Sequence, residues 1–491
     1  MRDDLRDGPR HDDQSPISLG LACLPVVTMV VLFVLGATLT TLGTELLILV
    51  MLGAATVATW TARTVGRTWD DVQHATGEKL AAVLPAILIL LAIGMLIATW
   101  IVSGTIALLV YYGLLVINPT YLVVTAFLAT ATMSICTGTS WGSAGTIGVA
   151  LMGMATAVGA PLGPTAGAIV SGAYFGDKLS PLSDSTNISA IGAGADLYGH
   201  IRMMLYTAVP SFAIACAVYT LAVDFPSHNG AHGAQLLLDD LDSIFSLSPI
   251  ALLPLVVVLI GVIKRTPPVI AMATSSVVAA GLAIAVQGFD LQTVLLSGVR
   301  GFDVSMLADR QLTGTQIQDA TRTLLERGGL YSIANTLLMI LAAFLLAGAM
   351  DVSGSLDRIV NRLLSAVRST WGLVASTMAA GTTLISLTSH GGVTSLVVGE
   401  LFGKAYDERD LARENLSRSI EDSVTIVEPL LPWTVSAVYM ATTLGVPTIT
   451  YAPWALFCIG GPVFSLLYAA TFDRTGFGLK RREPAARKGP A

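Results

Sequence analysis

Gly176-Asp177-Lys178-Leu179-Ser180-Pro181-Leu182-Ser183-Asp184-Ser185-Thr186-Asn187 closes a run, 80–176, of 97 residues without Asp, Glu, Lys, Arg or His. Such a stretch is too apolar for a water-soluble domain. At about 20 residues per helical crossing, it is long enough for several membrane passes. The polar cluster that ends it therefore lies at membrane depth. An ionisable group there costs about 2.5–3.5 kcal/mol on insertion scales, and groups kept at that cost mark functional sites by default.

Composition agrees. The chain is 53% hydrophobic and 12% charged, with a mean hydropathy of +0.72, whereas soluble domains carry about 25% charged residues. An integral membrane protein follows, surrounded by lipid bilayer. No basic stripe with interleaved aromatics suggests nucleic-acid binding. Cys23, Cys136, Cys216 and Cys458 lie inside apolar segments without metal-type spacing, so they read as small buried hydrophobes, and no cofactor is expected. The polar start, 1–15, has no cleavage pattern, so the first apolar run reads as a retained helix.

Clear spanning segments are expected at 20–39, 43–62, 81–102, 203–223, 249–263, 268–287, 330–350 and 453–472. Segments 166–190 and 419–440 are apolar at both ends with polar clusters and proline between. Regions 121–157 and 371–403 are interrupted by Thr-Ser-x-Gly and read as hairpins that enter and leave on one side. With the N-terminus inside, 22 of the 27 Lys and Arg fall in cytoplasmic loops, as the positive-inside rule requires. The expected fold is an all-α polytopic membrane protein with about ten transmembrane helices and two re-entrant hairpins.

The halves resemble each other. Leu24-Pro25 matches Leu253-Pro254; Val102-Ser103-Gly104 matches Val352-Ser353-Gly354; Thr139-Ser140-Trp141-Gly142 matches Thr388-Ser389-His390-Gly391; Pro181-Leu182 matches Pro429-Leu430. Five crossings per unit is an odd number, so the second copy is inverted. Accordingly, 103–120 and 158–165 hold no Lys or Arg, while 355–370 and 404–418 hold seven. Inverted repeats with broken helices at the midplane are a recurring transporter plan. The expected order is a cytoplasmic tail 1–19, a first membrane repeat 20–223, an extracytoplasmic linker 224–248, a second repeat 249–472 and a basic cytoplasmic tail 473–491.

Irregular backbone survives at this depth only where it is buried in protein or lines a wet cavity. Around Pro181, the side chains of Ser180, Ser183, Asp184, Ser185, Thr186 and Asn187 offer oxygens, which suit a hard cation such as Na⁺. In the second half Glu421, Asp422, Ser423, Thr425 and Glu428 precede Pro429 and Pro432 in the same manner. The hairpin tips supply Thr139, Ser140 and Gly142, and Thr388, Ser389 and His390. A carboxylate in low dielectric exchanges a proton near neutral pH and binds Na⁺ when ionised. Competition at one such group drives antiport. Asp184 is the first choice, then Asp422 and Glu428; Na⁺ is expected at Asp184, Ser183, Asn187 and Thr139. Asp177 belongs to the candidate set, and with Lys178 it also reads as a structural ion pair. Glu421 and Asp422 also read as a solvated helix start.

The strings Thr137-Gly138-Thr139-Ser140-Trp141-Gly142-Ser143-Ala144-Gly145-Thr146, Gly172 to Asn187 and His200-Ile201-Arg202 resemble the NhaC-type Na⁺/H⁺ antiporters of bacteria. Asn415-Leu416-Ser417-Arg418-Ser419-Ile420-Glu421-Asp422 and Pro429-Leu430-Leu431-Pro432-Trp433 resemble that family's second half. The resemblance covers roughly 20–470. It implies a bacterial inner-membrane secondary antiporter exchanging cytoplasmic Na⁺ for external H⁺; the charge placement adds that both termini are expected to be cytoplasmic, and the repeat that exchange proceeds by alternating access. The same family exchanges organic acids, such as malate for lactate, and amino acids. By analogy, helices 20–62 and 249–287 form a homodimer face. Glu428 is an extra acid relative to the family pattern. A rival from another class is an intramembrane serine hydrolase, since Gly138-Thr139-Ser140-Trp141-Gly142 matches G-x-S-x-G, with His390 as base. That elbow needs a strand-to-helix turn on an α/β sheet, which an all-helical chain lacks.

Overall fold

The computed structural model describes residues 17–39, 44–221, 230–264, 266–307, 317–365, 369–389 and 391–482. The described residues form helices and turns, with one isolated antiparallel bridge, Leu411 to Arg481. In the first half the helices are α1 (Leu19–Leu39), α2 (Thr44–Thr64), α3 (Trp69–Val102), α4 (Thr105–Val116), α5 (Leu122–Thr137), α6 (140–157), α7 (Leu162–Leu179), α8 (Asp184–Ala193) and α9 (Leu197–Leu221). The second half has α10 (Leu253–Ile263), α11 (Pro268–Ala285), α12 (Ala334–Val352), α13 (Ser355–Ser365), α14 (Thr370–Thr388), α15 (Gly391–Asp407), α16 (Arg413–Ser423), α17 (Val435–Leu444) and α18 (Leu456–Thr475). Eight described helices are long and apolar enough to cross a membrane, or ten if each of two bent pairs counts as one span. The protein is a multi-pass, all-helical membrane protein.

Two compact units divide the chain. The first holds the described residues through Ala82 and those from Leu338 to 365, and within it Lys79 pairs with Asp351 at 2.9 Å. The second holds the described residues between Val83 and Leu337 and from 369 onward, including both hairpins and both broken helices. The hairpin helix α5 packs along α7 at backbone distance: a Cβ on Gly176 would collide with the Ile135 amide nitrogen and with Ser134. Only glycine allows that approach.

Helix α3 begins at Trp69, well before the apolar run expected at 81. Its start is a reciprocal cap. The Thr68 amide donates to Asp71 Oδ2 at 2.8 Å, and the Asp71 amide donates to Thr68 Oγ1 at 3.2 Å, so a polar first turn holds without membrane burial. Helices also form at Gly230–Ile244, inside the segment expected as a linker, and at α13, expected only as a basic connection.

The internal repeat is visible in local geometry. Gly104 and Gly354 are both left-handed, at φ 76° and 69°, and each is flanked by a bonded hydroxyl pair: Ser103 Oγ to Thr105 Oγ1 at 2.8 Å, Ser353 Oγ to Ser355 Oγ at 2.7 Å. Further on, equivalent features lie 251 residues apart. Hairpin ends Gly138 and Ser389 are both left-handed. Thr137 Oγ1 meets Ser143 Oγ at 3.2 Å, and Thr388 Oγ1 meets Thr394 Oγ1 at 2.6 Å. Ser183 and Thr434 each cap the helix after a break, and Gly194 and Gly445 each end it. This register corrects two of the sequence matches: Pro181 corresponds to Pro432, not Pro429, and Thr137-Gly138 rather than Thr139-Ser140 corresponds to Thr388-Ser389. The second break holds two prolines three residues apart, and a shift of three keeps nearly the same helix face; at the hairpin tip the Thr-Ser dipeptide itself matches two residues out of register.

Candidate functional site

Each broken helix stops where its sequence requires. Ser180 is extended, at φ −83° and ψ 127°, as a residue before proline prefers. Pro181 follows, and Ser183 starts α8 by accepting a hydrogen bond from the Thr186 amide, the usual role of a serine N-cap. In the second half α16 ends at Ser423, the chain runs through a single tight turn at Glu428–Leu430, and Thr434 caps α17 by accepting from the Ala437 amide. Freed carbonyls are occupied. Thr434 Oγ1 donates to Glu428 O at 2.5 Å, Tyr451 OH to Pro429 O at 2.6 Å, and Thr382 Oγ1 to Ser423 O at 3.2 Å.

Between the breaks and the hairpin tips lies a cavity of about 300 Å³. Three carboxylates line it: Asp177 at the end of α7, Asp184 at the start of α8 and Glu428 in the second break. Hydroxyls of Ser140, Ser185, Ser389, Ser395, Thr425 and Ser436 complete the polar wall, with Trp141 and Tyr174 beside them. Among the described residues this lining holds no Lys, Arg or His. Asp177 is 7% exposed and Glu428 8%. Ser140 Oγ donates to Asp177 Oδ2 at 2.9 Å, Ser183 Oγ to Oδ1 at 2.7 Å, and Ser185 Oγ to Oδ2 at 3.5 Å. Trp141 stacks on Tyr439 with ring centroids 4.3 Å apart, and Tyr439 OH donates to Trp141 O at 2.5 Å. That contact holds the first hairpin tip against α17.

Lys178 does not pair with its neighbour Asp177. Its ammonium contacts Asp422 Oδ1 and donates to Thr207 Oγ1 at 3.3 Å, and Ser465 Oγ donates to Asp422 Oδ2 at 2.7 Å. Both charged side chains are fully buried. Nor is Asp422 part of a solvated helix start, because residues Asn415 to Ser423 are all buried. The partner of Lys178 lies 244 residues away, so no local spacing announces it.

Of the candidates, Asp177, Asp184, Ser140, Ser389, Thr425 and Glu428 come together at the cavity. Ser183 acts behind the wall, on Asp177. The others face elsewhere. Ser180 Oγ donates to Ile135 O, Thr186 Oγ1 to the carbonyls of Asp177 and Lys178, and Asn187 Nδ2 to the carbonyls of Pro181 and Ser183. Thr139 Oγ1 accepts from the Gly142 amide, and Thr388 clasps Thr394. Of the expected Na⁺ set Asp184, Ser183, Asn187 and Thr139, only Asp184 lines the cavity. His390 lies outside the described residues. Ser395 and Tyr174 sit in ordinary helical positions and carry no sequence signal, whereas Ser436, in the first turn after the second break and 251 residues beyond Ser185, is marked only by the repeat.

The chain matches the model of the Na⁺/H⁺ antiporter family over residues 17–223 and 172–471. It is 43% identical over 474 residues to an uncharacterised Na⁺/H⁺ antiporter of Haemophilus influenzae, covering 96% of this chain and 98% of that protein. It is 34% identical to the Na⁺/H⁺ antiporter NhaC of Alkalihalophilus pseudofirmus, covering 86% and 88%. It is 31% identical to the arginine/ornithine antiporter ArcD of Halobacterium salinarum, covering 96% and 95%.

Proposed function

Because the chain belongs to the Na⁺/H⁺ antiporter family, we propose that it exchanges cytoplasmic Na⁺ for external H⁺ across a bacterial inner membrane, with both termini cytoplasmic. The observation that carries this reading is the convergence of Asp177, Asp184 and Glu428 on one cavity whose described lining has no basic side chain. Three acids facing each other repel when ionised. A proton or a Na⁺ ion relieves that repulsion, and one carboxylate holds only one of the two at a time. Competition at Asp177 and Glu428 therefore couples the two flows, provided the cavity opens to one side at a time.

Ser140 and Ser183 hold Asp177 as donors. When Na⁺ arrives, those hydroxyls turn their lone pairs toward it and become ligands, so the site is ready for the ion without rebuilding its backbone. Moving an un-neutralised carboxylate past the apolar wall is costly, which penalises any transit with the site empty of both ions.

An acidic lining disfavours malate or another organic acid as cargo. A cavity of about 300 Å³ exceeds the needs of a bare ion, and this supports a second reading, a small cationic amino acid, as the name of the Halobacterium relative suggests. A serine hydrolase finds no support: Ser140 donates to a carboxylate, at the start of a helix.

The test is reconstitution into liposomes carrying a pH gradient, with Na⁺, Li⁺, K⁺, malate or ornithine added in turn. Collapse by Na⁺ alone, lost in Asp177→Asn, is the expected result. Collapse only when ornithine is added would move the cargo assignment to the amino acid; collapse only with malate would overturn the reading of the cavity.

A further inference from the structure

Glu421 lies within α16 with no exposed surface. It is not among the described residues that line the cavity, and among the described residues no donor reaches either of its carboxylate oxygens in hydrogen-bond geometry. Its surroundings are nonetheless oxygen-rich. Ser189 of α8 and Thr425 lie beside it, and Ser189 Oγ donates to Ser395 Oγ of α15 at 3.4 Å. Ser395 and Thr425 also line the cavity. Glu421 is thus linked to the cavity by hydroxyl-bearing residues, Thr425 directly and Ser395 by way of Ser189.

The charges around it leave a net deficit of cations. Lys178 faces Glu421 from α7, but its ammonium already contacts Asp422. Asp177, also on α7, adds a second negative charge. Arg418, on the same helix, is turned elsewhere: its Nη1 donates to Gly478 O at 2.5 Å and contacts Met203 Sδ. A buried carboxylate is expensive unless paired or bound to a cation. One carboxylate with three hydroxyls is the ligand chemistry of a hard cation.

We propose that Glu421, with the hydroxyls of Ser189, Ser395 and Thr425, forms a second site for a small hard monovalent cation, Na⁺ or Li⁺, entered from the central cavity. This rests on the reading of that cavity as a cation site. The cavity then receives the ion, and Glu421 holds a second one deeper in the protein.

Equilibrium dialysis of the full-length protein in detergent against radioactive Na⁺, at alkaline pH so that protons do not compete, tests it. Wild type is expected to bind two Na⁺ per chain and Glu421→Gln one. A Ser189→Ala variant keeps the acid, leaves the cavity lining unchanged and is expected to weaken the second site about tenfold in Kd. It also serves if Glu421→Gln does not fold. One Na⁺ in wild type, lost in Asp177→Asn and kept in Glu421→Gln, would overturn the Glu421 site and leave the cavity reading standing. A wild type that binds no Na⁺ would overturn both.

Discussion

Asp177 in the first broken helix is held by the hydroxyls of Ser140, Ser183 and Ser185. Glu428, its equivalent 251 residues later, stands opposite Gly391, which occupies the position of Ser140. A Cβ on Gly391 would lie 2.9 Å from Glu428 Oε2. One half uses a short acid with a serine, the other a longer acid with a glycine, and both acids reach the same cavity. The next residue differs too: Lys178 ties the first half to Asp422, whereas Pro429 in the second lies at the start of the tight turn Glu428–Leu430. The first half-site is thus anchored by charge and hydroxyls. The second is shaped by its backbone, with Ser436 facing its acid.

The largest expected effect tests that asymmetry directly. Asp177→Asn should lower the rate of Na⁺-driven gradient collapse at least about 100-fold, near 2.7 kcal/mol, while Glu428→Gln should cost about tenfold. Equal losses in proteoliposome flux would mean that the hydroxyl anchoring does not matter. Next comes the charge anchor. Asp422→Asn leaves Lys178 buried and unpaired, which should destabilise the protein by about 3–5 kcal/mol. A Lys178→Met/Asp422→Leu double variant should recover most of the thermal midpoint, and failure to recover would assign the pair a role beyond charge balance.

A third variant sharpens the reach argument. Gly391→Ala should raise the apparent KM for Na⁺ several-fold through contact with Glu428, and the effect should vanish in a Glu428→Gln background. A coupling of about 0.5–3 kcal/mol is typical of touching residues, so additive losses would place the clash elsewhere. The smallest effect concerns the connections outside the membrane. The link 158–161 of the first half carries no charge, whereas beside the equivalent link of the second half Arg413 donates to Asp407 at 2.7 and 3.0 Å. The hydrogen bonds from Arg413 hold the Asp407 carboxyl below its ordinary range. Its stabilising contribution is therefore present above the unfolded value, about 3.9, and is lost as pH falls through the lower folded value. Asp407→Asn should lower the thermal midpoint slightly near neutral pH, by less than about 1 kcal/mol for a partly exposed pair, and the difference should close at strongly acid pH.

Much of the architecture is legible in the sequence because it has local causes. A charge-free run dictates membrane burial. Ser180-Pro181 with a capping Ser183 dictates a break, and Pro429 with Pro432 marks a second one. Leu-Ser-Arg-Ser and Gly-Asp-Lys-Leu-Ser-Pro strings carry the family resemblance. Ordering the acids by importance is less legible. Asp184 stands among hydroxyl and amide neighbours in sequence, but Ser183, Thr186 and Asn187 spend their hydrogen bonds on Asp177 and on backbone carbonyls.

By itself, then, the sequence determined a multi-pass helical protein with two related halves, each interrupted at a proline-bearing polar cluster. Only the tertiary structure decided that Asp177 and Glu428 are equivalent, that Lys178 answers Asp422 rather than its neighbour, and that Glu421 is buried with no donor in hydrogen-bond geometry among the described residues. The physical reason is one of range. Helix breaks, caps and hydropathy arise within a few residues of chain. The partner of a buried charge is whatever packs against its face, and here that comes from helices more than two hundred residues away.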